Sequence, residues 1–409
     1  MSTNSFIDHR KLYRLPWTLP DNAIAWLEPT SACNLACDGC YRENIASSHK
    51  PLNAVEEEID TFLRLRTVDG ISIAGGDPLL HPQIVEIVRM IAERGVKPII
   101  NTNGGPLTKE LLRELKRAGA YGFTFHIDSK QGRPHWKNKN EIELNDLRLH
   151  YAEMLAEVGG LSCAFNSTVY EDTLQYTPEL IEWATKHIDI VQVMVFILFR
   201  AAVPQLPFDW YAGGKKIDMS MLAYTETKER KIDLQSTDVV AEIRKRFPEF
   251  TPCAFLNGTE KPDSFKWLLT GRIGSRGKIY GYVGPVFMEL MQSFHHLFTG
   301  RYLAYAKPQL TSLGKSMLLL SYFDRGLKKI AGRYLKSVLL NPMNVWKKLH
   351  YQSIMIIQPV DFLPNGLHNM CDGCPDMTLW NGELVWSCRL EELKHFGCWV
   401  RSVPRDISV

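Results

Sequence analysis

The chain has no apolar run long enough to cross a bilayer: the longest, residues 193–199, falls far short of the roughly eighteen residues required. Its first twenty residues are polar and mixed, without the apolar core of a secretory leader, so a cytoplasmic location is expected. It has no large excess of charge of either sign, with 48 Lys and Arg against 45 Asp and Glu. It has no recognised nucleic-acid module, so no nucleic-acid partner is expected. No arginine cluster is placed to grip a triphosphate. Cysteine is scarce but concentrated: seven of nine fall in two groups. Without a leader, that pattern points to metal ligation in a reducing compartment rather than to disulfides. At 409 residues, 45% hydrophobic and 23% charged, the chain is an ordinary globular sequence able to bury a large core.

The first group is Cys33-Asn-Leu-Ala-Cys37-Asp-Gly-Cys40. Three thiolates in eight residues can wrap one iron–sulfur cube. The next cysteine is Cys163, so one iron of that cube would lack a protein ligand and stay open to a small molecule. A structural zinc knuckle is the rival reading; it needs four ligands, and His49 could be the fourth.

Around this loop the pattern alternates strand and helix six times. Strands are predicted at 23–27, 70–74, 97–101, 122–127, 161–169 and 190–199, and helices at 55–65, 84–94, 107–118, 144–157 and 178–186. Alternation of this kind gives parallel strands with crossover helices, and six units rather than eight give an open barrel. Active sites of such barrels lie at the C-terminal strand ends. The unusual residues obey that rule: Cys33 to Cys40 follow strand one, Gly75-Gly76-Asp77 strand two, and Asn103 strand three. His126 and Asp128 end strand four, and Asn166 lies in strand five.

The second group is Cys371-Asp-Gly-Cys374, then Cys388 and Cys398. Between them, residues 379–386 read as strand, Asn-Gly turn, strand, which returns Cys388 toward Cys374. Four such thiolates suit zinc as well as an iron–sulfur cluster. Cys163 and Cys253 are isolated and are expected to be buried apolar side chains.

The C-x3-C-x2-C spacing and the Gly75-Gly76-Asp77-Pro78 segment resemble the radical S-adenosylmethionine (SAM) superfamily. The resemblance covers residues 22 to about 200, with two departures. Gly39 stands where many members carry an aromatic residue, and Asp77 replaces the usual glutamate. The last cysteines are similar to the auxiliary-cluster segment of the GTP-rearranging enzyme of molybdenum cofactor synthesis, and to twitch and SPASM extensions. The resemblance implies a SAM-binding [4Fe–4S] cluster on Cys33, Cys37 and Cys40. It implies S-adenosyl-L-methionine held near Gly75, Gly76, Asp77, Asn103, His126 and Asn166, with Asp77 pairing with the SAM ammonium. It also favours a second, auxiliary [4Fe–4S] cluster over zinc on Cys371, Cys374 and Cys388, with Cys398 the candidate fourth ligand. The implied reaction is reductive cleavage of SAM to a 5′-deoxyadenosyl radical that takes hydrogen from an unreactive carbon. A flavodoxin or ferredoxin would supply the electron.

The expected fold class is therefore α/β: a partial (β/α)6 TIM-like barrel with a helical insertion and a small C-terminal cysteine-rich β-hairpin domain. The boundaries are an N-terminal extension at 1–21, the barrel at 22–200, a covering segment at 201–284, basic amphipathic helices at 285–350 and the auxiliary-cluster domain at 351–409. Pro204, Pro207, Gly213 and Gly214 break the pattern after strand six, residues 239–247 read as a helix, and the glycines from 271 to 284 read as loop. Residues 285–350 carry ten Lys and Arg against Glu289 and Asp324, a local charge of +8 beside apolar residues at helical spacing. An ordinary solvated helix face would look like this, and so would a surface that meets anionic lipid. A lipid or isoprenoid-like substrate at a membrane surface fits this segment. A peptide substrate or a role in cofactor biosynthesis fits the cysteine analogies, and a non-catalytic Fe–S or zinc scaffold is the rival from another class.

Overall fold

The computed structural model describes residues 7–201, 206–225 and 233–405; the first six residues of the N-terminal extension and Pro204 lie outside them. Six strands alternate with five helices along the chain: β1 (Ile24–Thr30), α1 (Leu52–Leu65), β2 (Gly70–Gly75), α2 (Ile84–Glu93), β3 (Lys97–Thr102), α3 (Lys109–Arg117), β4 (Gly122–His126), α4 (Asn145–Val158), β5 (Ser162–Val169), α5 (Thr177–Lys186) and β6 (Val193–Leu198). Each strand pairs in parallel with the next. The helices lay apolar stripes such as Ile59 and Phe62, Ile87 and Ile91, and Leu112 and Leu115 into one core on the outer face of the sheet.

The sheet does not stop at six strands. After α6 (Ser236–Arg246) come β7 (Ala254–Leu256), β8 (Trp267–Ser275), β9 (Lys278–Tyr282) and β10 (His350–Ile357). β10 pairs in parallel with β6, β8 pairs antiparallel with β10, and β7 and β9 pair antiparallel with β8. The eleven-stranded sheet, from whose main path β9 branches at β8, ends at Ile24–Thr30 on one side and Tyr13–Arg14 on the other, an open partial barrel. Of the glycines at 271–284, whose number suggests a loop, Gly271, Gly274 and Gly281 stand in β8 and β9, while Gly277 lies in the turn between them and Gly284 precedes the following helix. A Cβ on Gly271 would lie 2.6 Å from a Val283 methyl, and one on Gly274 2.4 Å from the Lys278 carbonyl oxygen. These glycines permit close strand packing.

The C-terminal segment bridges the two edges. Its hairpin is β11 (Met377–Trp380) and β12 (Glu383–Trp386), joined at Asn381 and Gly382, both with positive φ. Buried Arg66 donates to the carbonyls of Leu19, Ile24, Cys374 and Pro375, and Asn22 donates to that of Gly373. At the other edge Arg14 pairs with Asp372.

Between β9 and β10 runs the helical insertion, with α7 (Pro285–Thr299), short turns at 308–322 and α8 (Arg325–Leu340). It crosses the N-terminal ends of the strands, opposite the cysteine loop. Ala304 N donates to Asp69, just before β2, and Lys97 at the start of β3 donates to the Tyr305 carbonyl. Among the described residues no helix is long and apolar enough to cross a membrane.

Candidate active site

The loop after β1 owes its shape to contacts that do not involve the thiols. Asn44 closes it, accepting from Cys33 N and donating to the Cys33 carbonyl. Tyr170 Oη donates to the Asp38 carbonyl at 2.6 Å, and Asp38 N donates to that of Lys130. Gly39 has φ +70°, and a Cβ there would meet the Phe199 ring at 2.5 Å. The side chain missing at position 39 is therefore matched by Phe199, which stacks on Tyr170 beneath the loop. Sequence reading missed Phe199, because nothing local ties residue 199 to residue 39. Burial pushes all three thiols above their ordinary pKa. His49, the candidate fourth zinc ligand, lies with Nδ1 2.9 Å from Thr30 Oγ1.

The Gly75-Gly76 backbone lies flush against the chain entering that loop. Gly76 N donates to the Thr30 carbonyl and Asp77 N to that of Ala32. A Cβ on either glycine would come within 2.2 Å of those oxygens. Asp77, the expected partner of the ammonium, is held by the protein's own donors. It is fully buried, and its carboxylate accepts from Leu79 N, Thr102 Oγ1 and Asn103 N. The short stem places both oxygens among these donors, so Asp77 braces the turn. Asn103 is the neighbour that faces the thiols: its Nδ2 lies 3.8 Å from Cys33 Sγ.

Further round the rim, His126 Nε2 lies 3.0 Å from Asp128 Oδ2 and 2.9 Å from Thr168 Oγ1. Burial would raise the Asp128 carboxyl, but His126 together with hydrogen bonds from Lys130 N and Thr168 holds it below its ordinary pKa. His126 and Asn166 both line the central cavity.

Cys371, Cys374 and Cys388 line that cavity too. Cys371 and Cys374 share a hydrogen bond, and burial pushes the Cys388 thiol up to about 12. Cys398 is placed apart. It packs on the apolar group of Phe208, Trp210 and Val400 and is not among the cavity-lining residues. Cys163 and Cys253 are buried.

Arg42 joins the two cysteine sets. Its guanidinium donates to Glu28 (Nε to Oε2, 2.8 Å) and to Ser387 Oγ beside Cys388, and it lies 3.8 Å from Glu391, while its carbonyl faces Cys40 Sγ. Sequence reading passed over Arg42, because its partners lie far away in the chain. Glu28 is held below its ordinary pKa because Arg42 outweighs the effect of burial. Replacing Arg42 by methionine leaves the buried Glu28 carboxylate without its pairing cation, whereas Glu391 keeps Lys394 at 2.8 Å. The expected loss is about 3–5 kcal/mol of stability, read from the urea midpoint of the cluster-free protein.

The cavity itself has a volume of about 1110 Å³. It does not end beneath the cysteine loop. Its walls descend the inner barrel face, through Ala74 and Ile197 and then Trp26, Ser72 and Val195, to Lys97 and Val193 at the strand starts. Small side chains such as Ala74, Ser72 and Ser353 leave open what side chains fill in an ordinary barrel. Below, the cavity meets Met288, Met291 and Leu303 of the helical insertion. Three cations on its wall are already paired: Arg42 with Glu28, Lys97 with Asp69 and Arg200 with Asp361.

Residues 27–184 match the sequence profile of the Radical SAM superfamily. An AdoMet-dependent heme synthase of Oleidesulfovibrio alaskensis is 26% identical over 180 residues, covering 42% of this chain and 46% of that protein. A GTP 3′,8-cyclase of Chlorobaculum tepidum is 36% identical over 102 residues, 24% of this chain and 31% of that protein. The chain thus spans less than half the length of either relative. The crystal structure of Streptococcus suis SuiB bound to S-adenosylmethionine aligns over 45% of this chain and 42% of that one, at 17% identity and a TM-score of 0.36.

Proposed function

The chain belongs to the radical SAM superfamily through residues 27–184, and from that premise we propose that it is a radical SAM enzyme acting on a lipid or isoprenoid-like substrate. The observation that carries the reading is one large, mainly apolar cavity onto which both cysteine sets open. Cys33, Cys37 and Cys40 suit a [4Fe–4S] cluster: three soft donors on a loop whose backbone is held without them. When bound, that cluster and SAM supply reductive carbon–sulfur cleavage and a 5′-deoxyadenosyl radical able to take hydrogen from an unreactive carbon. A flavodoxin- or ferredoxin-type protein is the proposed electron donor.

The protein's own groups hold and shield. Gly75 and Gly76 offer bare backbone to the SAM site, Asn103 reaches toward Cys33, and His126 and Asn166 present polar atoms on the rim. Phe199 supplies an aromatic wall beneath the loop. Cys371, Cys374 and Cys388 would hold a second cluster facing the same cavity.

Cofactor biosynthesis is the second reading, favoured by the names of the two relatives. The cavity offers it little, because the wall cations named above are spent on carboxylates and a phosphorylated nucleotide needs several. The test is anaerobic turnover of the reconstituted, reduced protein with SAM and a perdeuterated lipid extract. Deuterium in the 5′-deoxyadenosine supports the lipid reading; its absence with lipid, together with transfer from a peptide or nucleotide substrate, replaces it.

A further inference from the structure

Large apolar side chains in water are concentrated in one stretch of this protein. Between residues 294 and 346 lie Leu297, Phe298, Leu319, Tyr322, Leu339 and Trp346, each at least 74% exposed. Their setting is not that of an ordinary helix surface. α8 buries Leu327, Ile330 and Tyr334 against β9 and the core, and presents Leu335 and Leu339 outward, interleaved with Lys328, Arg325 and Lys336. Apolar side chains among lysines on an outward face are what a bilayer interface accommodates: the chains enter the headgroup boundary and the cations meet anionic lipid. The +8 charge of residues 285–350, in a chain of net +3, sets the sign of the partner.

The same stretch is also the floor of the cavity. Phe294, Phe298, Leu310 and Leu313 are exposed and at the same time line the cavity, so they mark an opening. This opening lies at the N-terminal ends of the strands, away from the cysteine loop. A strand of six residues spans about 20 Å, so the opening and the loop are separated by roughly the length of a hydrocarbon chain.

We propose that residues 294–346 seat the protein on an anionic bilayer surface and that the opening between Phe294, Phe298, Leu310 and Leu313 admits the hydrocarbon tail of a membrane lipid into the barrel. The headgroup stays at the surface among the exposed lysines while the tail runs up the inner face toward Cys33. Admission of the tail rests on the lipid reading above; docking does not. Arg333 takes no part, since it is paired with Glu249.

The experiment is co-sedimentation of the cluster-loaded protein with vesicles of phosphatidylcholine alone or mixed with phosphatidylglycerol, at low and high salt. Strong binding to the mixed vesicles is expected, weakened but not abolished by salt. Replacing Arg325, Lys328, Lys329 and Lys336 by glutamine should cut it on the order of 1000-fold at low salt. Replacing Leu335, Leu339 and Trp346 by serine should remove the salt-resistant part. Both variants should retain wild-type 5′-deoxyadenosine formation, which shows that they fold. No binding to mixed vesicles at low salt overturns docking, as does a wild-type dimer in light scattering that these variants convert to monomer, because the face would then be a self-association surface. A lipid with a photoreactive group in its tail should label residues of the opening. If docking holds but label falls only outside the opening, admission is overturned; if label enters but no deuterium reaches 5′-deoxyadenosine, the substrate reading fails and docking stands.

Discussion

Alanine at Cys33, Cys37 and Cys40 together should reduce 5′-deoxyadenosine formation to background and leave the rest of the barrel folded. The expectation of intact folding comes from the contacts that shape the loop. Asn44 holds the Cys33 backbone from both sides, Tyr170 holds Asp38, and Gly39 seats on Phe199, all without a thiol. The thiols themselves contribute little to packing, since Cys33 and Cys37 are only half-buried. What the triple variant loses is the set of soft donors. Iron and sulfide should fall from about eight of each to about four, given two cubanes. Asn103→Ala serves as a graded companion. It removes the side chain that reaches the Cys33 thiol at 3.8 Å but no ligand, so iron should stay at the wild-type level while cleavage slows. SAM cleavage undiminished in the triple-alanine protein would overturn the assignment of this loop.

The parts legible from sequence are those fixed by local pattern. The six strands and five helices of the barrel fall within a few residues of their predicted positions, because period-3.6 stripes and short apolar runs record burial directly. The Asn381-Gly382 hairpin was equally plain, since only a few residue pairs tolerate two positive φ values in succession. What was not legible depended on distance along the chain. β8 and β9 hid behind their glycines, whose need is set by Val283, Tyr351 and the Lys278 carbonyl. Asp77 is picked out by its place in a motif, but its bonds to Thr102 and Asn103, about 25 residues on, are not. Arg42 gave no sign of its role because Glu28, Ser387 and Glu391 converge on it only in the fold. The tunnel through the barrel is an absence of bulk at several strands at once, and no single strand records it.

Cys371, Cys374 and Cys388 should behave differently from Cys398, and this contrast carries the second large effect. The first three open onto the cavity, whereas Cys398 packs beside Trp210 and Val400. Replacing the three by alanine should halve iron and sulfide, from about eight of each to about four, while Cys398→Ala leaves the content unchanged. The module should stay folded without its thiols, because Arg66 holds the carbonyls of Cys374 and Pro375, Asn22 holds that of Gly373, and Cys371 bridges to Gly258 through backbone. SAM cleavage in the absence of substrate should therefore persist in the triple variant, since the loop at Cys33 is intact. Product formation should fall to background if a cluster held by three thiols, with one iron open to the cavity, helps to hold or oxidise substrate. Loss of iron on Cys398→Ala would instead make the site a closed four-thiolate cluster, and stoichiometric zinc in anaerobically purified protein would make it structural. In either case the apolar tunnel would have to position its substrate from the barrel wall alone.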